Sequence, residues 1–410
     1  MTFIMHNSLY VHIPFCLKRC VYCDFVSGIY DPQKETAYIK ALKQEIVNIP
    51  DNVSFETLYI GGGTPTALST GSLNDLIAHI FEQCKFTIDH EATIEANPGT
   101  VDIRKLKAIL SSGVNPELPQ GYQRLRREAS GANRISIGVQ SFNDDELKTL
   151  GRLHTAEEAE KAGSLAKEAG FKNIGIDLIY GIPGQSVNSW IKTLEKAVQL
   201  EPDHISTYEL TVESGTLLYD HIEKGRLQGP EEEKIIEMYN HTIDFLTAKG
   251  FVHYEISNFS MPGYFCRHNL NYWDRGEYYG AGLGAHSFIN GKRSYNTGDL
   301  EHYIQSLSKN ELPVEGSEVI TADKALLETF FLGLRKTEGI NLEKLSASYG
   351  EDIQKVYEKQ IRELQRAGLI ETYSSSRGFG TSRVTSSGNN RMRLTRQGIL
   401  LSNEVFIRFM

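Results

Sequence analysis

Cysteine is scarce in this chain. There are five in 410 residues, three of them crowded into one short stretch, and tryptophan occurs only twice. An odd number of clustered thiols does not pair into the framework of a small secreted scaffold and fits a reducing compartment instead. No run approaches the length of apolar sequence that a spanning helix needs, so any membrane contact is expected to be peripheral. The opening MTFIMHNSLYVHIPF lacks a charged segment followed by a long apolar one; no secretory leader is expected and the reading is cytoplasmic. Basic charge is short as well. With 43 Lys and Arg against 52 Asp and Glu, the formal charge of -9 argues against a general nucleic-acid-backbone binder. The tail is the exception: from Ser374 onward it carries six arginines and one acid, Glu404. That pattern suits a solvated hairpin and helix or an anion-facing surface.

What the chain has is a repeat of short β-rich runs and amphipathic helical patterns through its first half. Six runs stand out: LYVHIP (Leu9 to Pro14), TLYIGG (Thr57 to Gly62), ATIEAN (Ala92 to Asn97), RISIGV (Arg134 to Val139), NIGIDLIYG (Asn173 to Gly181) and HISTYEL (His204 to Leu210). Helical patterns such as KETAYIKALKQEIVNI and EEAEKAGSLAKEAG lie between them, the latter closed by Gly170. Alternation of this kind predicts parallel βα units, and six of them predict an α/β fold, an incomplete (β/α)6 barrel with an open side. Chemistry in barrels gathers at the C-terminal ends of the strands. The cysteine-rich CLKRCVYC follows the first run, GGGTP the second, EANPG the third, VQSF the fourth and IDLIYGIPG closes the fifth.

Two segments stand outside this scheme. PELPQGYQRLRREASGAN, Pro116 to Asn133, reads as an insertion in the loop before the fourth strand, on the face away from the chemistry. SSSRGFGTSRVTSSGNN is a Ser/Gly/Asn-rich loop near the C-terminus. After about residue 310 the pattern turns helical and then closes with helix, strand, loop, strand and helix, which predicts a small winged-helix-like α+β domain. The expected division is 1–310 for the barrel with its connecting segment and 311–410 for that domain.

Cys16, Cys20 and Cys23 share one loop with the spacing C-x3-C-x2-C. A structural zinc wants four ligands, and no second pair stands nearby to complete a tetrahedron. An iron–sulfur cube held by three thiolates keeps one iron open for a ligand with an adjacent amine and carboxylate, as S-adenosylmethionine has. GGGTP removes side chains where the backbone can approach such a ligand. Glu95, Gln140, Arg152 and Asp177 stand at or just beyond strand ends, where ribose, amine and carboxylate can be held. Singly, each of these also reads as an ordinary loop residue.

Together, the cysteine loop, GGGTP, EANPG, GVQSF, GRLHT and DLIYGIPG resemble the radical S-adenosylmethionine superfamily, in its branch around oxygen-independent coproporphyrinogen III oxidase. The resemblance implies a [4Fe–4S] cluster on Cys16, Cys20 and Cys23. It implies S-adenosylmethionine contacts at Tyr10, Tyr22, Gly62, Gly63, Thr64, Glu95, Gln140, Arg152 and Asp177. Oxidases of the branch continue the motif to a fourth cysteine, where this chain has Phe25, and carry an N-terminal extension, where this chain has fifteen residues before Cys16. Both departures resemble the HemW-type heme chaperones, which bind heme and pass it to respiratory apo-hemoproteins.

CRHNLNYW, Cys266 to Trp273, is similar to the H-N-x2-Y-W signature of that group. Imidazole is a usual axial ligand of heme iron, so His268 is a candidate and the Cys266 thiolate a second one; Tyr272 and Trp273 offer flat apolar surface with polar tips. His286 in GAHSF is a weaker ligand candidate and reads first as a structural histidine. A heme chaperone with cluster and S-adenosylmethionine site is thus the leading expectation. An oxidase that decarboxylates coproporphyrinogen III, and a radical enzyme docked to nucleic acid through the C-terminal arginines, are the alternatives. Monomer and homodimer, and His268 against Cys266, stay open.

Overall fold

The computed structural model describes residues 7–112, 131–375 and 389–409. The chain divides into two compact units, Met1–Phe245 with Glu277–Val319, and Leu246–Gly276 with Ile320–Met410.

The first unit is built on parallel strands β1 (Asn7–Ile13), β2 (Ser54–Gly62), β3 (Lys85–Ala96), β4 (Arg134–Gln140), β5 (Ile174–Tyr180) and β6 (His204–Glu209), each hydrogen-bonded to the next in that order. Helices α1 (Pro32–Val47), α2 (Thr70–Gln83), α3 (Ile103–Ser111), α4 (Asp144–Thr149), α5 (Ala156–Ala169) and α6 (Val187–Gln199) lie between them. This is the incomplete (β/α)6 barrel read from the sequence. The strands can be parallel because both faces are covered: Leu9, Val11, Leu58, Ile60, Ile94, Ile137, Ile176 and Ile205 are all but sealed from solvent. Local chemistry sets the helix ends. Asp31 caps α1 just ahead of Pro32, while Thr155 and Glu158 form a capping box at the start of α5, which Gly170 ends at φ 110°.

Two features depart from the expected elements. β3 starts at Lys85, earlier than its apolar run, because its first residues are a solvent-exposed extension that includes Ile88. β1 does not end the sheet either. Strand β7 (Tyr278–Ala281) pairs parallel with it, and β8 (His286–Ile289), β9 (Lys292–Asn296) and β10 (Val314–Val319) follow antiparallel. These strands cover an edge that would otherwise expose unpaired backbone groups.

A buried carboxylate ties this late segment to the first helix. Glu45 of α1 accepts from Asn296 Nδ2 at 2.6 Å, from the Gly282 N–H at 2.8 Å and from the Tyr303 hydroxyl. Beside it the Tyr38 hydroxyl donates to the His12 carbonyl at 2.7 Å and accepts from the Leu283 N–H at 3.0 Å. Burial pushes the Glu45 carboxyl up, against the pull of its three donors.

The insertion read at Pro116 to Asn133 lies, up to residue 130, outside the described residues, as do residues 376–388 of the Ser/Gly-rich loop. On either side of the former the chain closes on itself. Gly131, at φ 97°, lies so near the end of α3 that a Cβ would come within 2.7 Å of the Leu110 carbonyl oxygen and 2.9 Å of that of Ser112.

The second unit holds the hairpin Val252–Glu255 with Asn258–Ser260, the short helix Arg267–Trp273, the helix Ala322–Gly333, and further helices around an antiparallel sheet. In that sheet Asn389–Leu394 lies between Ile340–Asn341 and Ile370–Ser375. Its core includes Phe330, Ile353, Met392, Val405 and Phe409, with the rings of Phe330 and Phe409 stacked at 4.5 Å. Helices on a small antiparallel sheet agree with the winged-helix-like architecture expected after residue 310; residues 246–276, expected with the barrel, cluster with this unit. Two of its basic residues are paired: Arg391 bonds the part-buried Glu338 carboxylate at 3.1 Å and Arg393, at the surface, that of Glu371 at 2.7 Å.

Candidate functional site

The cysteine loop leaves β1 and is held at both ends and in its middle. At its neck Phe15–Cys16 pairs parallel with Gly28–Ile29, the Gly28 N–H reaching the Pro14 carbonyl at 2.7 Å and the Tyr30 N–H that of Cys16 at 2.9 Å. At its middle the Val21 N–H donates to Leu150 O at 3.2 Å, and Val21 O accepts from the Leu218 N–H at 2.8 Å. Val21 and Tyr22 pack on an apolar cluster of Leu150, Ile179, Ile182, Leu210 and Leu218. These anchors fix the backbone of the loop that carries the three thiols.

The glycine loop lies against it. Backbone N–H groups of Gly63 and Thr64 donate to Ile13 and Phe15 carbonyls, both at 2.8 Å. That approach needs bare backbone: a Cβ on Gly63 would come within 2.9 Å of Phe15 O, and one on Gly62, at φ 110°, would fall on the ring of His12.

Both loops open on a cavity of about 390 Å³ at the C-terminal ends of the strands. The three cysteines, Tyr22, Gly62, Gly63, Thr64, Glu95, Gln140, Arg152 and Asp177 all line it. Cys16 Sγ is 3.6 Å from Thr64 Oγ1, and Arg152 Nη1 donates to Cys20 Sγ at 3.4 Å while its Nη2 donates to Gly138 O at 2.7 Å. Burial pushes the thiols of Cys16 and Cys23 up from the ordinary cysteine range.

Deeper in, Glu95 accepts from the Tyr59 hydroxyl at 2.7 Å and from the Gly62 N–H at 3.0 Å. Burial, with Asp177 adding repulsion, pushes Glu95 up to about 7 against those two donors. Asp177 is raised too, mainly by burial, although the Ser206 and Ser136 hydroxyls oppose the shift. Gln140 adopts φ 68°, a left-handed conformation uncommon outside glycine, and its Oε1 is buried with no hydrogen-bond partner. Arg152 Nε is likewise buried without one. Unmet polar atoms on the wall of a cavity suit a polar ligand.

Among the described residues no three His, Cys, Asp or Glu side chains gather closely enough to hold a single metal ion. The three thiols line one cavity, and Cys20 and Cys23 are near enough to Cys16 to disfavour its charged form. Soft sulfur donors in a loop this well anchored fit an iron–sulfur cluster, whose irons take their ligands at separate points.

Several residues read from the sequence lie elsewhere. Tyr10 does not line the cavity; its hydroxyl is 3.0 Å from His12 Nδ1 and its ring stacks on Tyr59 at 6.2 Å. Cys266 and His268 lie in the second unit, 0% and 1% exposed, with His268 Nε2 3.0 Å from the Tyr272 hydroxyl. Trp273 carries the Arg335 guanidinium over its ring at 4.5 Å. His286 is exposed and stacks on Tyr295 at 5.4 Å. Phe25, 63% exposed, lies on the rim of the cavity.

The sequence reading missed Tyr59 and Ser136, which hold the two buried carboxylates, and His12. Strand alternation was the available signal. Tyr59 lies two residues before Gly61 and His12 two after Tyr10, on the same faces of β2 and β1.

Comparison with known proteins adds family context. The profile of the Radical SAM superfamily matches residues 10–197 and that of the HemN C-terminal domain residues 320–373. A heme chaperone HemW of Bacillus subtilis (strain 168) is 36% identical over 98% of this chain and 99% of its own length. One of Lactococcus lactis subsp. lactis (strain IL1403) is 36% identical over 98% and 97%. One of Escherichia coli (strain K12) is 37% identical over 69% and 70%. The solved structure of coproporphyrinogen III oxidase (HemN) from Escherichia coli, a radical SAM enzyme, matches with a TM-score of 0.78 over 99% of this chain and 90% of that one. At 24% identity that likeness is one of fold.

Proposed function

This chain belongs to the radical SAM superfamily and, within it, to the family of the HemW heme chaperones, and from that membership we propose that it binds heme and hands it to heme-dependent respiratory proteins. In the same proposal the barrel carries a [4Fe–4S] cluster and S-adenosylmethionine. The observation that carries this second part is the convergence of three thiols and eight further residues, singled out by strand-end position or by the family resemblance, on one cavity.

Cys16, Cys20 and Cys23 would hold the cluster, which when bound supplies an electron to the sulfonium of S-adenosylmethionine. Arg152 offers a buried cation for a carboxylate and an N–H for a cysteine sulfur. Glu95 and Asp177 offer buried oxygens for hydroxyl or amine donors, and Gln140 an acceptor with no other partner. Gly62 and Gly63 keep side chains out of the approach. Phe25 at the rim offers no thiolate where the oxidase pattern has one. In the second unit His268 is the axial candidate for heme, with Cys266 behind it. As folded, His268 is buried and its Nε2 is engaged with the Tyr272 hydroxyl, so presenting that nitrogen to iron would require this contact to break and the ring to be uncovered.

The test is anaerobic cluster reconstitution followed by heme titration and an oxidase assay on one sample. Stoichiometric heme uptake, transfer to an apo-cytochrome and no decarboxylation of coproporphyrinogen are expected. Robust oxidase turnover, or no heme uptake, would overturn the proposal.

A further inference from the structure

The imidazole of His12 lies between the two loops that frame the cavity. It comes from β1, is 6% exposed, and its Nε2 stands 2.8 Å from the carbonyl oxygen of Val26, three residues past Cys23. A carbonyl can only accept, so Nε2 carries the proton and Nδ1, in a neutral ring, is free to accept from the Tyr10 hydroxyl at 3.0 Å. Burial favours that neutral form. Against the ring lies Gly62, where no side chain would fit, and Gly62 donates its N–H to Glu95. Tyr10 in turn stacks on Tyr59, whose hydroxyl also goes to Glu95. The ring thus holds the closing arm of the cysteine loop on one side and sets the floor of the glycine loop on the other.

We propose that His12 is a positioning residue for the metal-binding loop, its Nε2–H fixing the Val26 carbonyl so that Cys23 is presented to the cavity in register with the glycine loop. This rests on the cluster reading above. Other contacts of the segment share the task without replacing it. Gly28 and Tyr30 bond the neck beyond Val26, and Val21 is held before Cys23, so the arm from Asp24 to Ser27 has His12 as a side-chain anchor from the strand beneath. Tyr10, read from the sequence as a ligand contact, then acts one step further back, by fixing the orientation of the His12 ring.

Two substitutions separate the two ring nitrogens. His12→Gln places an amide N–H near the position of Nε2 and keeps a donor for Val26. His12→Asn places one near Nδ1 and cannot reach. Both proteins are loaded with iron and sulfide, and cluster loss is followed by visible absorbance under an iron chelator, alongside thermal unfolding. We expect His12→Asn to lose its cluster about tenfold faster than wild type, the effect of one hydrogen bond on a local opening equilibrium, and His12→Gln to stay within about threefold. Equal retention in His12→Asn and wild type, or equal loss in both variants, overturns the assignment. A second readout does not need the cluster: amide hydrogen exchange across residues 24–28 of the metal-free protein. It should speed up in His12→Asn and stay near wild type in His12→Gln; no difference there also overturns the assignment. If wild type binds no iron while the exchange pattern holds, the cluster reading fails and the positioning of the arm by His12 stands.

Discussion

Arg152 aims one guanidinium nitrogen at the sulfur of Cys20 across 3.4 Å and anchors another on the carbonyl of Gly138 at 2.7 Å. One side chain therefore connects the cysteine loop to β4, and its third nitrogen stays unmatched in the interior. Arg152→Met removes charge and donors while keeping a long apolar stem. S-adenosylmethionine binding to the cluster-loaded protein should weaken at least about tenfold, the scale of a charge-assisted hydrogen bond, with Arg152→Lys in between. Equilibrium dialysis checks this, and undiminished binding would remove Arg152 from the ligand site.

The cysteines should divide cleanly. Cys16, Cys20 and Cys23 are partly exposed, so replacing any one of them by Ala should abolish cluster uptake while shifting the unfolding midpoint by only a few degrees. Cys84 and Cys266 are buried, and their Ala variants should load iron and sulfide normally but unfold earlier. Iron and sulfide analysis with thermal unfolding distinguishes the two groups.

Gly62→Ala should be costly for two separate reasons: a left-handed φ of 110° and the His12 ring where the new methyl must go. Strain alone accounts for about 1–3 kcal/mol. Adding His12→Ala opens space and should return part of the loss, so the double variant is less destabilised than the two single effects summed. Chemical denaturation of the four proteins completes the cycle.

Glu95 should make the protein less stable as pH rises. Its folded value of about 7 lies above the ordinary 4.5, so between those values the folded chain holds more proton than the unfolded one. The contribution is whole below the unfolded value and is lost as pH rises through about 7. It amounts to at most on the order of 3 kcal/mol. Glu95→Gln should flatten the pH profile of stability across that window. Glu255 of the second unit, also raised to about 7 by burial, acts in the same direction and is separated by its own Gln variant.

At the heme candidate, the pair His268 and Tyr272 gives opposite expectations. Tyr272→Phe removes the hydroxyl 3.0 Å from His268 Nε2 and should leave heme affinity unchanged or raise it. His268→Ala removes the donor and should lower affinity, with loss of the imidazole signature from the heme spectrum. Heme titration of both variants decides; equal affinity and unchanged spectra in His268→Ala would exclude this ligand.

Most parallel strands of the barrel were legible because they hold short apolar stretches buried on both faces, followed by helices with their own capping residues. β7 was not. Its Tyr-Tyr-Gly-Ala carries little strand signal, and it is a strand because β1 has an edge to be covered. The site was legible where residue type itself carries chemistry, as for the cysteines, the glycines and Arg152. It was illegible where conformation does the work: nothing in the letters GVQSF announces a left-handed Gln140. The contact of Tyr10 with His12 was missed although strand alternation places the two on one face of β1.

Glu45 is joined to residues 282, 296 and 303, up to 258 positions further along the chain. A ribosome delivers these groups in order, N-terminal first. The thiols of the cysteine loop therefore emerge long before the segment that completes the bracing of β1 and α1. On the cluster reading proposed above, a nascent chain that ends before Tyr303 would carry the three cysteines without the finished cradle, so stable uptake of iron would wait for that segment, with the early thiols kept reduced until then.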